Sequence, residues 1–200
     1  MCNLYRMEKA PDAVARLARE LGMAVQFPEG VPNAEPRDVR ITERAPILRA
    51  AVSGEAGALD CVERRWSWPA PGGKPVFNYR SENRRFAPAS RCVVLADGFY
   101  EFTAPTVPGK KTKDRWLFTW PGQEWFGIAA TLRNDATVGE AFSLLTCEPG
   151  GDVSPYHNRQ IILLRPPDCA RWLGVAGEPE SDASAFLHPL ADGTLKVEAA

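Results

Sequence analysis

The sequence predicts an α+β fold in a single domain: a mostly antiparallel, barrel-like β-sheet with peripheral helices. Three observations carry this expectation. Apolar runs are short and punctuated by Gly, Pro, Asn and Asp, only one or two stretches have helical spacing, and 200 residues suit one core better than two. With 44% hydrophobic residues and 24 basic against 25 acidic side chains, the composition is that of a folded, nearly neutral chain.

Taken in order, Pro11 and Asp12 open an amphipathic stretch with Val14, Leu17, Ala18 and Leu21 on one face, stopped by Gly22. Residues 23–46 are broken by prolines and read as a wandering connection. Arg91 to Leu95 and Phe99 to Phe102 read as a hairpin around Ala96-Asp97-Gly98, because Asp-Gly favours a tight turn. Trp116 to Trp120 and Trp125 to Thr131 repeat that pattern around Pro121-Gly122-Gln123, their tryptophans being expected in the core. Ala141 to Cys147 and Gln160 to Arg165 read as strands either side of the polar loop 148–159. Pro167 to Leu173 reads as a helix with proline in its first turn. The core is expected over about residues 2–175, with the acidic, small-residue tail 176–200 peripheral.

Several function classes are excluded at this level. Runs such as Val93 to Ala96 and Ile161 to Leu164 are far too short to span a bilayer, and the start lacks a signal-peptide core. The expectation is a soluble, cytoplasmic protein with no membrane partner. Cys2, Cys61, Cys92, Cys147 and Cys169 form an odd set without a C-x-x-C pair, which argues against a disulfide scaffold and a structural zinc site. Two distant histidines and the lack of a Gly-rich phosphate loop leave no cofactor and no metal expected, and His188 in the tail is given no role.

The near-neutral total hides a basic stretch. Residues 64–91 hold Arg64, Arg65, Lys74, Arg80, Arg84, Arg85 and Arg91 against the single acid Glu82, a net charge of +6. Such a run is often a solvated loop. Trp66 and Trp68 lie within it, however, and guanidinium groups beside flat aromatic rings are the two ingredients of single-strand recognition.

Three residues suggest chemistry. If Met1 is removed, Cys2 carries an α-amine and a thiol on adjacent carbons. The amine attacks an aldehyde to give an imine, and the thiol then closes a thiazolidine ring with the advantage of an intramolecular step. The free-base fraction of an α-amine at neutral pH is also about several hundred-fold that of a lysine. Glu101 lies in the apolar run Phe99-Tyr100-Glu101-Phe102, where burial would raise its pKa and make it a proton donor and acceptor near neutrality. His157 stands at the end of a polar loop just before a strand, a common position for a general acid or base. Each has an ordinary structural alternative: a small second residue, an outward-facing edge glutamate, a loop histidine.

Together, Met1-Cys2, Asn78-Tyr79-Arg80-Ser81-Glu82, the run from Arg91 to Phe102 and Tyr156-His157-Asn158-Arg159 resemble the SOS response-associated peptidase family of abasic-site processing proteins. The resemblance is ordered and covers most of residues 2–175. It implies a protein, monomeric and nucleoid-associated in the cytoplasm, that binds single-stranded DNA and captures the aldehyde of an abasic site as a covalent link. It further implies that Cys2 supplies amine and sulfur, Glu101 moves protons, His157 assists sugar opening or reversal, and Asn78 bonds near the amine and sugar. Arg80 and Arg159 would hold phosphates, and Arg65 with Trp66 would sit beside the strand junction. The family name implies exposure of Cys2 by self-cleavage, which an aminopeptidase would achieve equally.

Three segments depart from the family pattern. Cys-Gly-Arg is Cys2-Asn3-Leu4, Arg-Trp-Gly-Leu is Arg65-Trp66-Ser67-Trp68, and His-Asp-Arg-Met-Pro is His157-Asn158-Arg159-Gln160-Ile161. Two other readings remain open: a cysteine or N-terminal-nucleophile peptidase acting on proteins, and a non-catalytic single-strand binding module.

Overall fold

A computed structural model of the chain describes residues 2–8, 14–16, 18–19, 22–33, 35–53, 57–176 and 183–200. Along the chain the strands are β1 (Leu4–Met7), β2 (Val25–Gln26), β3 (Arg37–Arg40), β4 (Arg44–Ala50) and β5 (Leu59–Trp66). Next come β6 (Trp68–Pro69), β7 (Pro75–Val76), β8 (Asn78–Arg80), β9 (Arg91–Ala96) and β10 (Gly98–Thr103). The remainder are β11 (Asp114–Thr119), β12 (Phe126–Asp135), β13 (Gly139–Cys147), β14 (Gln160–Ile161), β15 (Leu163–Leu164) and β16 (Lys196–Ala199).

The mostly antiparallel, barrel-like architecture matches the expectation. β13, β12, β9, β4 and β5 lie side by side, and a parallel pairing of β5 with β13, Ala141 opposite Arg65 and Phe142 opposite Trp66, closes them into a ring. A second sheet runs β16-β11-β10-β1-β3. The continuous apolar run of β9 is explained by burial on both faces. Cys92, Val94 and Ala96 join one core with Cys2, Tyr5, Trp66 and Phe99. Val93 and Leu95 join the other with Leu145, Cys169 and Trp172. The helix Pro166–Leu173 caps that second core, starting on proline and ending at Gly174 in the left-handed region (φ 73°). It lies so close to β12 that a Cβ at Gly127 would come within 2.6 Å of Cys169 Sγ.

Both expected hairpins are corrected. β9 pairs with β12 and β4 in the barrel, whereas β10 pairs with β1 and β11 in the second sheet, so Ala96-Asp97-Gly98 is a crossing between sheets. The cause is Asp97, whose carboxylate is engaged by the Arg6 guanidinium and by the Glu8 N–H at 2.7 Å, while its own N–H donates to Arg6 O at 3.1 Å. β11 and β12 likewise belong to different sheets. A true hairpin joins β12 to β13, where the Asp135 side chain accepts from Thr137 N at 2.9 Å and Gly139 takes φ 74°.

Residues 23–46 are less irregular than expected, since they contain β2, β3 and the start of β4. Residues 14–16 and 18–19 are helical, but Pro11, Asp12, Leu17 and Leu21 of the expected helix lie outside the described residues. The tail, expected to be peripheral, ends as the edge strand β16 on β11.

Candidate functional site

Cys2 precedes β1 and lies in the core with only 1% of its surface exposed. Its thiol points to Leu4 O at 3.4 Å. Burial raises the thiol pKa well above its ordinary value, the charge of nearby Glu101 adds to this, and a bond from the Tyr100 backbone opposes it. On β10, beside β1, Glu101 is equally enclosed. Removing its carboxylate from water raises its pKa to about 7. Asn78 reaches in from β8, its Nδ2 donating to Cys2 O at 2.7 Å. Asn78 Oδ1 is buried with no hydrogen-bond partner among the described residues, an acceptor facing no donor. Met1, whose removal the expected chemistry requires, lies outside the described residues.

His157 follows Tyr156, whose ring packs toward this neighbourhood. Trp116 is the cross-strand partner of Glu101, and the Tyr156 ring rests on Trp116 and Phe118 at centroid distances of 5.0 and 5.3 Å. The His157 N–H donates to Val153 O at 2.9 Å, and its Nδ1 accepts from Arg159 N at 3.0 Å. Partial burial lowers its pKa, which favours the neutral imidazole. The tail steadies this loop. The Asp152 carboxylate accepts from Gly193 N at 2.8 Å and Leu195 N at 2.9 Å, and Asp192 accepts from Gly151 N at 2.6 Å.

The expected DNA-binding residues divide. Arg80 is exposed and shares the sheet face of Asn78. Arg65 is half-buried and donates to Thr42 O at 3.0 Å. Arg159 is buried, held by both Glu82 oxygens and donating to Thr146 O at 2.9 Å, so its guanidinium is engaged within the protein. Arg84 and Arg85 are exposed on the far side of β8.

Trp66 and Trp68 do not form the expected stacking surface. Trp66 is fully enclosed against Tyr5 and Phe142, with Nε1 donating to Phe77 O at 2.8 Å. Ser67 between them has φ 100°, which sends Trp68 to the other side, where it packs on Tyr79. Sequence reasoning missed Glu82 as the partner of Arg159; its signal was that it stands alone as the acid of a basic segment.

A family model, SOS response associated peptidase (SRAP), matches residues 1–199. The chain belongs to this family. A relative named abasic site processing protein HMCES, from Xenopus tropicalis, is 25% identical over 119 residues. That match takes in 50% of this chain and 36% of the relative, so the chain spans about a third of the relative's length. Among solved structures, a phage-related protein from Bordetella bronchiseptica superposes with a TM-score of 0.70 at 19% identity, covering 100% of this chain and 94% of that one. A second protein from Bordetella bronchiseptica gives 0.67 at 20% identity, covering 100% and 99%. One from Bacteroides thetaiotaomicron gives 0.66 at 15%, covering 99% and 91%. At such identities the superpositions show a shared fold alone. Ser67 takes a positive φ that glycine adopts at little cost and serine does not. Among the described residues, no helix is long and apolar enough to cross a membrane.

Proposed function

We propose that the chain captures abasic sites in single-stranded DNA through Cys2 exposed by loss of Met1. The observation that carries this reading is the convergence on Cys2 of the Asn78 amide, bonded to its carbonyl, and of Glu101, with a pKa of about 7. The terminal amine attacks the sugar aldehyde to form a carbinolamine. Glu101 in its acid form gives a proton to the departing water, leaving an iminium ion that keeps the N–H and a Glu101 carboxylate. The thiol then adds to the same carbon and yields its proton to the Glu101 carboxylate, so one water is lost per thiazolidine formed. A thiol raised by burial needs such a base, because it does not ionise alone. The same rise weighs against a thiolate attacking peptides in trans.

In this reading Asn78 Oδ1 accepts from the amine, and neutral His157 assists opening of the sugar or reversal of the link. Arg80 on the Cys2 side holds a phosphate. Arg159 acts behind it by fixing the loop at His157. The relative named for abasic-site processing supports this assignment.

The test mixes the purified protein, its mass verified to lack Met1, with an oligonucleotide bearing one abasic site. A denaturation-resistant band that Cys2→Ala removes is expected. An unmodified oligonucleotide with fully processed protein would sink the proposal.

A further inference from the structure

The basic segment is divided between two faces of one sheet. β8 lies parallel to β13, with Asn78 opposite Leu144, Tyr79 opposite Leu145 and Arg80 opposite Thr146. Leu144 belongs to the core that holds Cys2, and Leu145 to the core beneath the C-terminal helix. Asn78 and Arg80 therefore face the Cys2 side, and Tyr79 faces away. A turn follows in which Ser81 N and Oγ both donate to Thr146 O at 3.0 Å, Arg84 N donates to Ser81 O at 3.2 Å, and Asn83 takes φ 58°. It carries the chain over the sheet edge and delivers Arg84 and Arg85 to the opposite face.

There they line a cleft of about 480 Å³ with Trp68, Tyr79, Asn83 and Arg133. The Arg84 guanidinium lies 4.5 Å over the Tyr79 ring and donates to its hydroxyl at 2.9 Å. Arg133, from β12, lies 5.9 Å over Trp68. Stacking fixes the plane of a guanidinium and leaves its edge N–H groups for an oxyanion. Among the described residues no acidic side chain lines the cleft, and Glu82, the acid nearest in sequence, is engaged by Arg159.

We propose that this cleft is a second phosphate-binding subsite, which takes the phosphodiester backbone of the single strand flanking the captured sugar. The strand leaves the Cys2 side at Arg80, crosses the edge at residues 81–83, and lies against Arg84, Arg85 and Arg133. The idea rests on the capture proposed at Cys2 and extends it to the length of strand engaged. Three guanidiniums spread over a cleft match successive phosphates better than one small anion.

The test uses base-complete single strands and a variant carrying Arg84→Ala with Arg133→Ala, both exposed positions. Anisotropy titrations compare strands of about six and about twenty nucleotides at several salt concentrations. The variant should lose about tenfold in affinity for the long strand and little for the short one, with the salt slope lower by about 1 to 2 for two lost phosphate contacts. Arg84→Lys with Arg133→Lys should restore most of the slope. Equal affinities and slopes for parent and variant overturn the proposal. So does displacement of the long strand by inorganic phosphate at low concentration, which would mark a small-anion site. Crosslinking of a short abasic strand is read separately, in parent and variant. If it fails in both proteins, the Cys2 reading falls while the cleft is still judged by the titrations.

Discussion

Glu101 holds its proton more tightly in the folded protein than in the unfolded chain, and that difference couples stability to pH. Its folded pKa is about 7 against an ordinary 4.5. Below about 4.5 both states are protonated and nothing is lost. Between 4.5 and 7 the unfolded chain releases the proton first, so stability falls as pH rises, by about 3 kcal/mol in all. His157 works in the opposite sense, because its lowered pKa adds stability as pH rises toward its ordinary 6.5. The comparison is therefore variant against parent: Glu101→Gln should raise the urea midpoint at pH 8 and leave it nearly unchanged at pH 4. Its capture rate should drop by about a hundredfold, since an amide cannot relay protons. Cys2, Glu101 and His157 stand out in the sequence by residue type and setting, and Asn78 only through the family resemblance; that Asn78 and Glu101 lie beside Cys2 is seen in the fold. The engagement of Arg159 was not legible in the sequence, because an arginine's partner is chosen by the fold.

At the scale of elements, strand identity was easier to read than strand pairing. The runs of β9 through β13 announce themselves by apolar character, but Asp97-Gly98 signals a turn without saying which neighbour the next strand will choose. That choice was made by Arg6 and Glu8, some ninety positions upstream. β3 and β16 went unread because Arg37–Arg40 and Lys196–Ala199 are short, polar edge strands with little alternation to detect. The tail does more than close a sheet edge, since it anchors the loop that carries His157. Asp152→Ala removes the acceptor of two backbone N–H groups and should cost about 1–2 kcal/mol. Amide exchange across residues 148–157 should accelerate, and capture should slow with Cys2 still buried.

For the whole molecule, the ring of strands closes at β5 and β13, and Ser67 stands at that seam with its N–H donating to Phe142 O at 2.8 Å. A non-glycine residue at φ 100° is strained, and the Ser67 hydroxyl is buried with no partner among the described residues. Ser67→Gly should raise stability by about 1 kcal/mol in thermal or urea unfolding, with no change in which side Trp66 and Trp68 occupy. The seam could not be foreseen, because parallel closure joins segments some seventy-five residues apart, whereas the single domain followed from length and its sheet-rich character from the short, punctuated apolar runs.

The enclosure of Cys2 has a further result. Peroxides and electrophilic metabolites consume the sulfur anion, and a sulfhydryl kept neutral and walled off from bulk water offers them little to attack. Loss of that group to oxidants is then slow, so a molecule made long before it is needed arrives with its reagent unspent.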